Sequence, residues 1–234
     1  MIDVERIDFV VRPVADLARA DEFYGRTLGL ARNPSSDGHW VEYETGNLTI
    51  ALSEHGGIGL GVPDVEEARR ALEGAGVQFP REIYDSGVCH TTGFTDTAGN
   101  RLFLHHRYAP LERWNGEVMV VARTDFVGIP VTDRPKAVEF YRGTLGLAQN
   151  SRAHDEWPEF EPENATIVLN TPEQTGVPFR PSNYAISLRV PDVAQSMERL
   201  KGKGVEFQFE EPYDSGVCHM AFFADPDGNS LILH

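Results

Sequence analysis

The sequence predicts an α+β fold built twice, as two tandem domains that each contain two βαβββ modules. Three observations carry this. The chain has 234 residues, enough for two domains of ordinary size. A set of short motifs recurs once, in the same order. Within each copy, segments of alternating apolar residues are interrupted by segments with a helical apolar stripe.

The recurrence is direct. Asp8-Phe9-Val10 returns as Asp125-Phe126-Val127, Glu22-Phe23-Tyr24 as Glu139-Phe140-Tyr141, and Thr27-Leu28-Gly29-Leu30 as Thr144-Leu145-Gly146-Leu147. Each pair is 117 residues apart. Val62-Pro63-Asp64 matches Val190-Pro191-Asp192 at 128, and the heptapeptide from Tyr84 to His90 is repeated letter for letter from Tyr213 to His219 at 129. The growing offset places an insertion before Val190, in the Pro-rich stretch from Thr171 to Ser182. The domains are expected at 1–109 and 122–234, with 110–121 as the linker.

Within the first copy, residues 6–14 read as a strand. Asp16 caps a helix that ends near Gly25 and buries Leu17, Ala20, Phe23 and Tyr24. Residues 40–44 and 48–52 form a hairpin. The cycle then restarts with a strand at 58–62. A helix follows behind Asp64 and Glu67, which resemble a capping box, and it stops at Gly74 or Gly76. A last hairpin pairs 88–95 with 101–106 across Asp96-Thr97-Ala98-Gly99-Asn100. The second copy follows suit, with helices behind Asp133 and Asp192 and a final turn at Asp225-Pro226-Asp227-Gly228-Asn229.

Composition narrows the function. The formal charge is −15, and it is evenly spread: residues 1–117 hold 19 acidic and 11 basic side chains, the rest 17 and 10. A negative surface repels phosphate backbones and anionic lipid, so neither nucleic acid nor membrane is an expected partner. No run of 18 apolar residues suggests a membrane span, and the N-terminus lacks the pattern of a secretory leader. The two cysteines, Cys89 and Cys218, occupy matching points of separate halves. A disulfide between them is not expected, and a cytoplasmic setting is.

Val14-Ala15-Asp16, Phe23-Tyr24 and Leu28-Gly29-Leu30, their counterparts Val131-Thr132-Asp133, Phe140-Tyr141 and Leu145-Gly146-Leu147, and the Asp-Pro-Asp-Gly-Asn turn at 225–229 resemble the vicinal-oxygen-chelate superfamily (glyoxalase, bleomycin-resistance protein, extradiol dioxygenase). The likeness covers nearly the whole chain outside the linker and the insertion. It implies modules curled into a half-open barrel around a small ligand. In the first copy the turn is degraded to Asp96-Thr97-Ala98-Gly99-Asn100, and that copy is the expected scaffold for the other's cleft.

Enzymes of that superfamily commonly hold a divalent metal with His, Gln or Glu from four inward strand positions. Carried over by register, these fall on Phe9, Ala51, Gly57 and Phe103, and on Phe126, Val168, Ala185 and Ile232. None of the eight can ligate a metal. No metal ligand and no cofactor is therefore expected, and a divalent metal held elsewhere stays open.

Strand alternation gives the side chains that would line each cleft instead. If the last hairpin pairs residues summing to 196, Thr91 faces His105, Gly93 faces Phe103, and Cys89 lies diagonal to His105. The second copy gives Cys218, Met220, Phe222, Ile232 and His234. On the preceding hairpin, Trp40 and Glu42 share a face with Thr49 and Ala51, and their counterparts are Trp157 and Glu159. Candidate ligand-binding residues are thus Phe9, Trp40, Cys89, Thr91, Phe103, Phe126, Trp157, Cys218, Met220 and Phe222. Candidate catalytic residues are Glu42, Glu159, His105 and His234, as carboxylate bases with imidazoles assisting. Plainer readings stand beside these: the cysteines as inert core residues, the tryptophans as core, and His90 and His219 as structural residues facing the helices.

The expected function is binding of a small, planar or aromatic molecule without the usual metal. The alternative is a lyase, isomerase or dioxygenase-type enzyme using a Glu/His pair or an atypical metal. Two domains pairing within the chain as a pseudo-dimer are expected, and a homodimer stays open.

Overall fold

The computed structural model describes residues 4–34, 36, 38–109, 123–175, 178–181, 183–216, 218–224, 228 and 230–234. The linker at 110–121 and most of the turn at 225–229 lie outside them.

The first half contains β1 (Arg6–Pro13), α1 (Leu17–Asp21), β2 (Ala31–Arg32), β3 (Val41–Glu44), β4 (Thr49–Ser53), β5 (Gly57–Gly61), α2 (Val65–Gly74), β6 (Tyr84–Asp85), β7 (Cys89–Thr95) and β8 (Arg101–Arg107). Its eight strands form one mixed sheet in the order β2-β3-β4-β1-β5-β8-β7-β6. The second half repeats the plan with β9 (Arg123–Pro130), α3 (Arg134–Glu139), β10 (Glu159–Phe160), β11 (Thr166–Asn170), α4 (Pro172–Thr175), β12 (Ala185–Arg189), α5 (Val193–Lys201), β13 (Tyr213–Asp214), β14 (His219–Ala224) and β15 (Ser230–Leu233). Its sheet runs β10-β11-β9-β12-β15-β14-β13. In each half the central strands β1 and β5, or β9 and β12, join two modules side by side.

The helices start where the acidic caps place them. The side chains of Asp16, Asp64, Asp133 and Asp192 each accept a hydrogen bond from the amide three residues on. Such a cap offsets one of the unpaired donors at a helix start, at about 1 kcal/mol. The first helix does not stop at Gly25. It continues as a π-helical stretch over Glu22–Leu28 and ends at Gly29, whose φ of 79° is the left-handed conformation glycine supplies. Gly25 has a different role: a Cβ there would lie 3.3 Å from the Tyr43 hydroxyl, so it makes room for that ring. Tyr43 is buried, and its hydroxyl bonds the Asp21 backbone carbonyl at 2.8 Å and the Asp21 carboxylate. The helix interior buries Ala20 and Tyr24, while Leu17 and Phe23 are half-buried.

The final hairpin of the first half has the expected register. Thr91 pairs with His105 and Gly93 with Phe103. Its turn is fully hydrogen-bonded although the sequence departs from Asp-Pro-Asp-Gly-Asn. Asp96 Oδ1 accepts from the Ala98 and Asn100 amides at 2.8 Å, and Gly99 takes φ 85°. Asp, Gly and Asn do the structural work of the motif; the two residues between are free to vary.

By packing density the chain divides into two compact units. One holds residues 1–10, 56–113 and 128–182; the other holds 11–55, 114–127 and 183–234. Each unit therefore takes one module from each half. In the first, Asn164 makes reciprocal bonds to the Ile7 amide and carbonyl, Asn100 donates to the Pro130 carbonyl at 2.8 Å, and Tyr141 donates to Asp96 at 2.9 Å. In the second, Thr45 and Thr124 hydroxyls meet at 2.9 Å, and the buried Arg12 reaches the carbonyls of Tyr184 and Ser230.

Candidate functional site

The heptapeptide repeated in both halves builds one local device. Asp85 Oδ1 accepts from the Gly87 amide at 2.8 Å, Gly87 takes φ 82°, and Ser86 Oγ accepts from the Cys89 amide at 3.0 Å. This is a side-chain-capped turn feeding directly into β7. It sets the Cys89 thiol 3.0 Å from Ser86 Oγ, half-buried at the head of the strand. The second copy is the same: Ser215 Oγ accepts from the Cys218 amide at 3.0 Å and lies 3.2 Å from its sulfur. Neither cysteine is a core residue.

Next to Cys89, on β8, stands His105. Its Nδ1 lies 2.6 Å from Asp8 Oδ2, and both side chains are largely buried. Asp8 also accepts from Arg6 Nε at 2.7 Å. Cys89 pairs with Arg107 and Thr91 with His105, so the thiol lies diagonal to the imidazole. The influence of His105 first, then Ser86 and the charges of His105 and Arg107, lowers the thiol below its ordinary value against a counter-effect of burial. For His105, burial favours the neutral ring, yet the bonds to Asp8 and Cys89 outweigh it and raise the imidazole to about 9. Since Asp8 engages Nδ1, Nε2 is the nitrogen available to the thiol.

The second half repeats the pair. His234 Nδ1 lies 2.7 Å from Asp125 Oδ2. Here the carboxylate is shared: Arg123 Nε donates to it at 2.8 Å and Arg189 Nε at 2.9 Å. Burial opposes its ionisation, but these partners together hold it below the usual carboxylate range. Arg189 stands at the counterpart of Gly61, so the first half has no such third cation. A cavity of about 730 Å³ opens beside this cluster, lined among others by Arg189, Asp192, Cys218, His219 and His234.

The aromatic candidates separate into groups. The Phe9 ring stands edge-on to His105, with centroids 5.2 Å apart, and 5.9 Å from Phe103. Both rings rest over glycines of β5. A Cβ on Gly59 would lie 2.4 Å from the Phe9 ring, and one on Gly57 would lie 2.2 Å from Phe103. Gly59→Ala should therefore force the Phe9 ring aside and destabilise the protein by about 1–3 kcal/mol, read as a shift in a urea unfolding midpoint. In the second half Phe126 packs edge-on to His234 at 5.8 Å. Phe222 contacts Phe209 and Tyr213, two exposed rings that sequence reasoning missed. Their signal was the alternation of Phe207 and Phe209 before the repeated heptapeptide.

The carboxylate candidates are engaged. Trp40 Nε1 donates to Glu42 Oε1 at 2.6 Å, and Asn150 Nδ2 donates to Glu159 Oε2 at 2.8 Å. Glu42 pairs across the hairpin with Ala51, as alternation expects, and it is half-buried. Trp157 is 37% exposed, so it is not a core residue. Thr91 donates to the Leu104 carbonyl at 3.1 Å, which places its hydroxyl on the backbone. Met220 is half-buried. His90 and His219 do not face the helices. Both are substantially exposed, 3.6 and 3.8 Å from Asp85 and Asp214, because their strand has only just begun.

Two mixed sheets of eight and seven strands, built on the same plan, define a tandem arrangement of one fold class. Residues 123–233 match the model of the Glyoxalase/Bleomycin resistance protein/Dioxygenase superfamily. The match covers the second half, and the first half repeats the motifs and strand order of that segment. No curated protein matches the sequence. Among solved structures, an Mn(II)-bound glyoxalase from Novosphingobium aromaticivorans is similar at TM-score 0.73 and 18% identity, covering 100% of this chain and 82% of that one. Homoprotocatechuate 2,3-dioxygenase from Brevibacterium fuscum is similar at TM-score 0.72 and 14% identity, covering 99% and 80%. At these identities the likeness is one of fold.

The eight strand positions expected from the resemblance to carry metal ligands offer no donor atom. They carry carbon side chains or none, and Phe9 and Phe103 fill the space over β5. Among the described residues no group of three or more His, Cys, Asp or Glu is placed to hold an ion.

Proposed function

We propose that this protein binds a small planar or aromatic molecule without the superfamily's strand-borne metal. The observation that carries the reading is the seating of Phe9 and Phe103 over Gly59 and Gly57, at positions where a metal would need donor atoms. Both rings remain partly open and offer a flat apolar wall for stacking. Phe126, Met220, Phe222 and Trp40 supply comparable surface, and the cavity beside Cys218 has a volume of about 730 Å³, within the range of small-molecule sites. The test is titration of chelator-treated protein with the planar dye 8-anilinonaphthalene-1-sulfonate. Chelation should leave the affinity unchanged, and Phe103→Ala should weaken it about tenfold, or ~1.4 kcal/mol. A stoichiometric transition metal whose removal abolishes binding would overturn the reading.

A second reading is favoured by one observation: each cleft histidine is held by a carboxylate, as an oriented acid–base group is. In this reading His105 and His234 work with Glu42 and Glu159 in a lyase- or isomerase-type reaction. Glu42→Gln and Glu159→Gln separate the two. A binder keeps its affinity, whereas an enzyme loses turnover of the bound compound.

A further inference from the structure

Binding alone leaves Cys89 without a role, yet its surroundings are unlike those of an inert thiol. A structural cysteine sits in apolar core and touches no base. Cys89 is half-buried, touches Ser86 Oγ at 3.0 Å, and lies diagonally across the hairpin from an imidazole whose Nδ1 is tied to a largely buried carboxylate at 2.6 Å. Thiol, imidazole and carboxylate in series are the parts of an activated nucleophile: a base takes the proton and a third group orients the base. The turn from Asp85 to Gly87 delivers the thiol to that base, which accounts for why the heptapeptide is intact in both halves while flanking segments have diverged.

We propose that Cys89 is a nucleophile toward small planar conjugated carbonyl compounds, with His105 as its proton acceptor and Asp8 as a positioning residue. The step balances without a further reactant. His105 Nε2 takes the thiol proton, and the sulfur forms a C–S bond at the β-carbon of the compound. The C=C π pair moves toward the carbonyl, and the imidazolium returns its proton to the α-carbon. The net change is addition of S–H across a double bond. A soft, polarisable carbon acceptor suits a thiolate, and the Phe9 and Phe103 rings beside His105 suit a flat conjugated molecule.

The two halves differ in one respect that sets their order. Asp8 is bonded to His105 and Arg6, whereas Asp125 divides its charge among His234, Arg123 and Arg189. His234 thus shares its carboxylate with two arginines, and His105 shares its own with one. Cys218 is therefore the slower thiol.

N-Ethylmaleimide, a planar conjugated carbonyl compound, tests this on the intact protein. Labelling of the Cys89 and Cys218 peptides is followed by mass spectrometry from pH 5.5 to 9, in the presence of a chelator. At pH 6.5 Cys89 should react at least about tenfold faster than glutathione and several-fold faster than Cys218. His105→Gln should restore the profile of an ordinary thiol, with its midpoint near ~8.5, and Asp8→Asn should move the midpoint part of the way. The proposal is overturned if wild-type Cys89 follows an ordinary thiol profile, if Cys218 is the faster, or if His105→Gln leaves the profile unchanged. The wild-type profile needs no variant to fold. The outcome is also separate from dye binding, since a protein that binds no dye can still show the shifted profile.

Discussion

Arg12→Met should lower the unfolding free energy by about 3 kcal/mol. Arg12 is fully buried, the largest of the buried side chains. One terminal nitrogen donates to the Tyr184 carbonyl, the other to the Ser230 carbonyl at 2.8 Å, and Nε to the Tyr24 hydroxyl at 3.3 Å. One guanidinium thus joins the end of β1 to residues just before β12 and at the start of β15. Methionine keeps much of the volume but has no donor. The buried Tyr184 carbonyl and the half-buried Ser230 carbonyl would lose a charged partner, at about 1–3 kcal/mol for the buried one and less for the other, and the relief from burying a cation would offset only part of this. Lysine has a single point of attachment and cannot reach all three acceptors, so Arg12→Lys should recover less than half of the loss. Urea unfolding reads both. A midpoint within error of wild type for Arg12→Met would mean that Arg12 does not tie these strands together.

The same residue marks where the sequence stops being legible. Arg12 lies in an apolar run, and its counterpart in the second half is the buried Ile129. Nothing local distinguishes a buried cation with distant carbonyl partners from a charge at a strand edge. What was legible rested on short-range rules. Period-two alternation and one hairpin turn set the pairing of Thr91 with His105, and an aspartate before an apolar helical stripe located all four caps. Gly25 misled because glycine has two uses, ending a helix or admitting a neighbour, and only the position of Tyr43 separates them. The relay was half legible. Alternation put Cys89 diagonal to His105, but it assigned Asp8 to the opposite face from Phe9. In the structure both neighbours reach His105, Asp8 through its carboxylate and Phe9 through its ring.

The relay also makes stability depend on pH, in a direction that follows from its charges. In an unfolded chain a histidine titrates near ~6.5. In the folded protein burial works against the charged ring, but the Asp8 bond and then Cys89 raise His105 to about 9. A folded-state value above the unfolded one means the native state holds the proton more tightly. The stabilisation is fully present below ~6.5 and is lost as pH rises through about 9. A shift of this size corresponds to on the order of 3 kcal/mol. Cys89 runs the other way. Held below its ordinary value first by His105, it contributes above the unfolded thiol value and loses that contribution as pH falls through its lowered one. Thiolate and imidazolium therefore coexist between the lowered Cys89 value and about 9, with Arg6 on Asp8 and Arg107 near the sulfur as the other charges in reach. The His105 contribution to the urea midpoint should be lost between about pH 6.5 and about 9, and His105→Gln should remove that loss. Cys89→Ser should keep most of it, because Asp8 is the stronger of the two groups that raise the ring. Subtracting the variant curve from the wild-type curve cancels the lysines and tyrosines that titrate nearby. Parallel wild-type and His105→Gln curves through this interval would mean that the ring carries no proton there, and Cys89 would then have no acid to complete its addition.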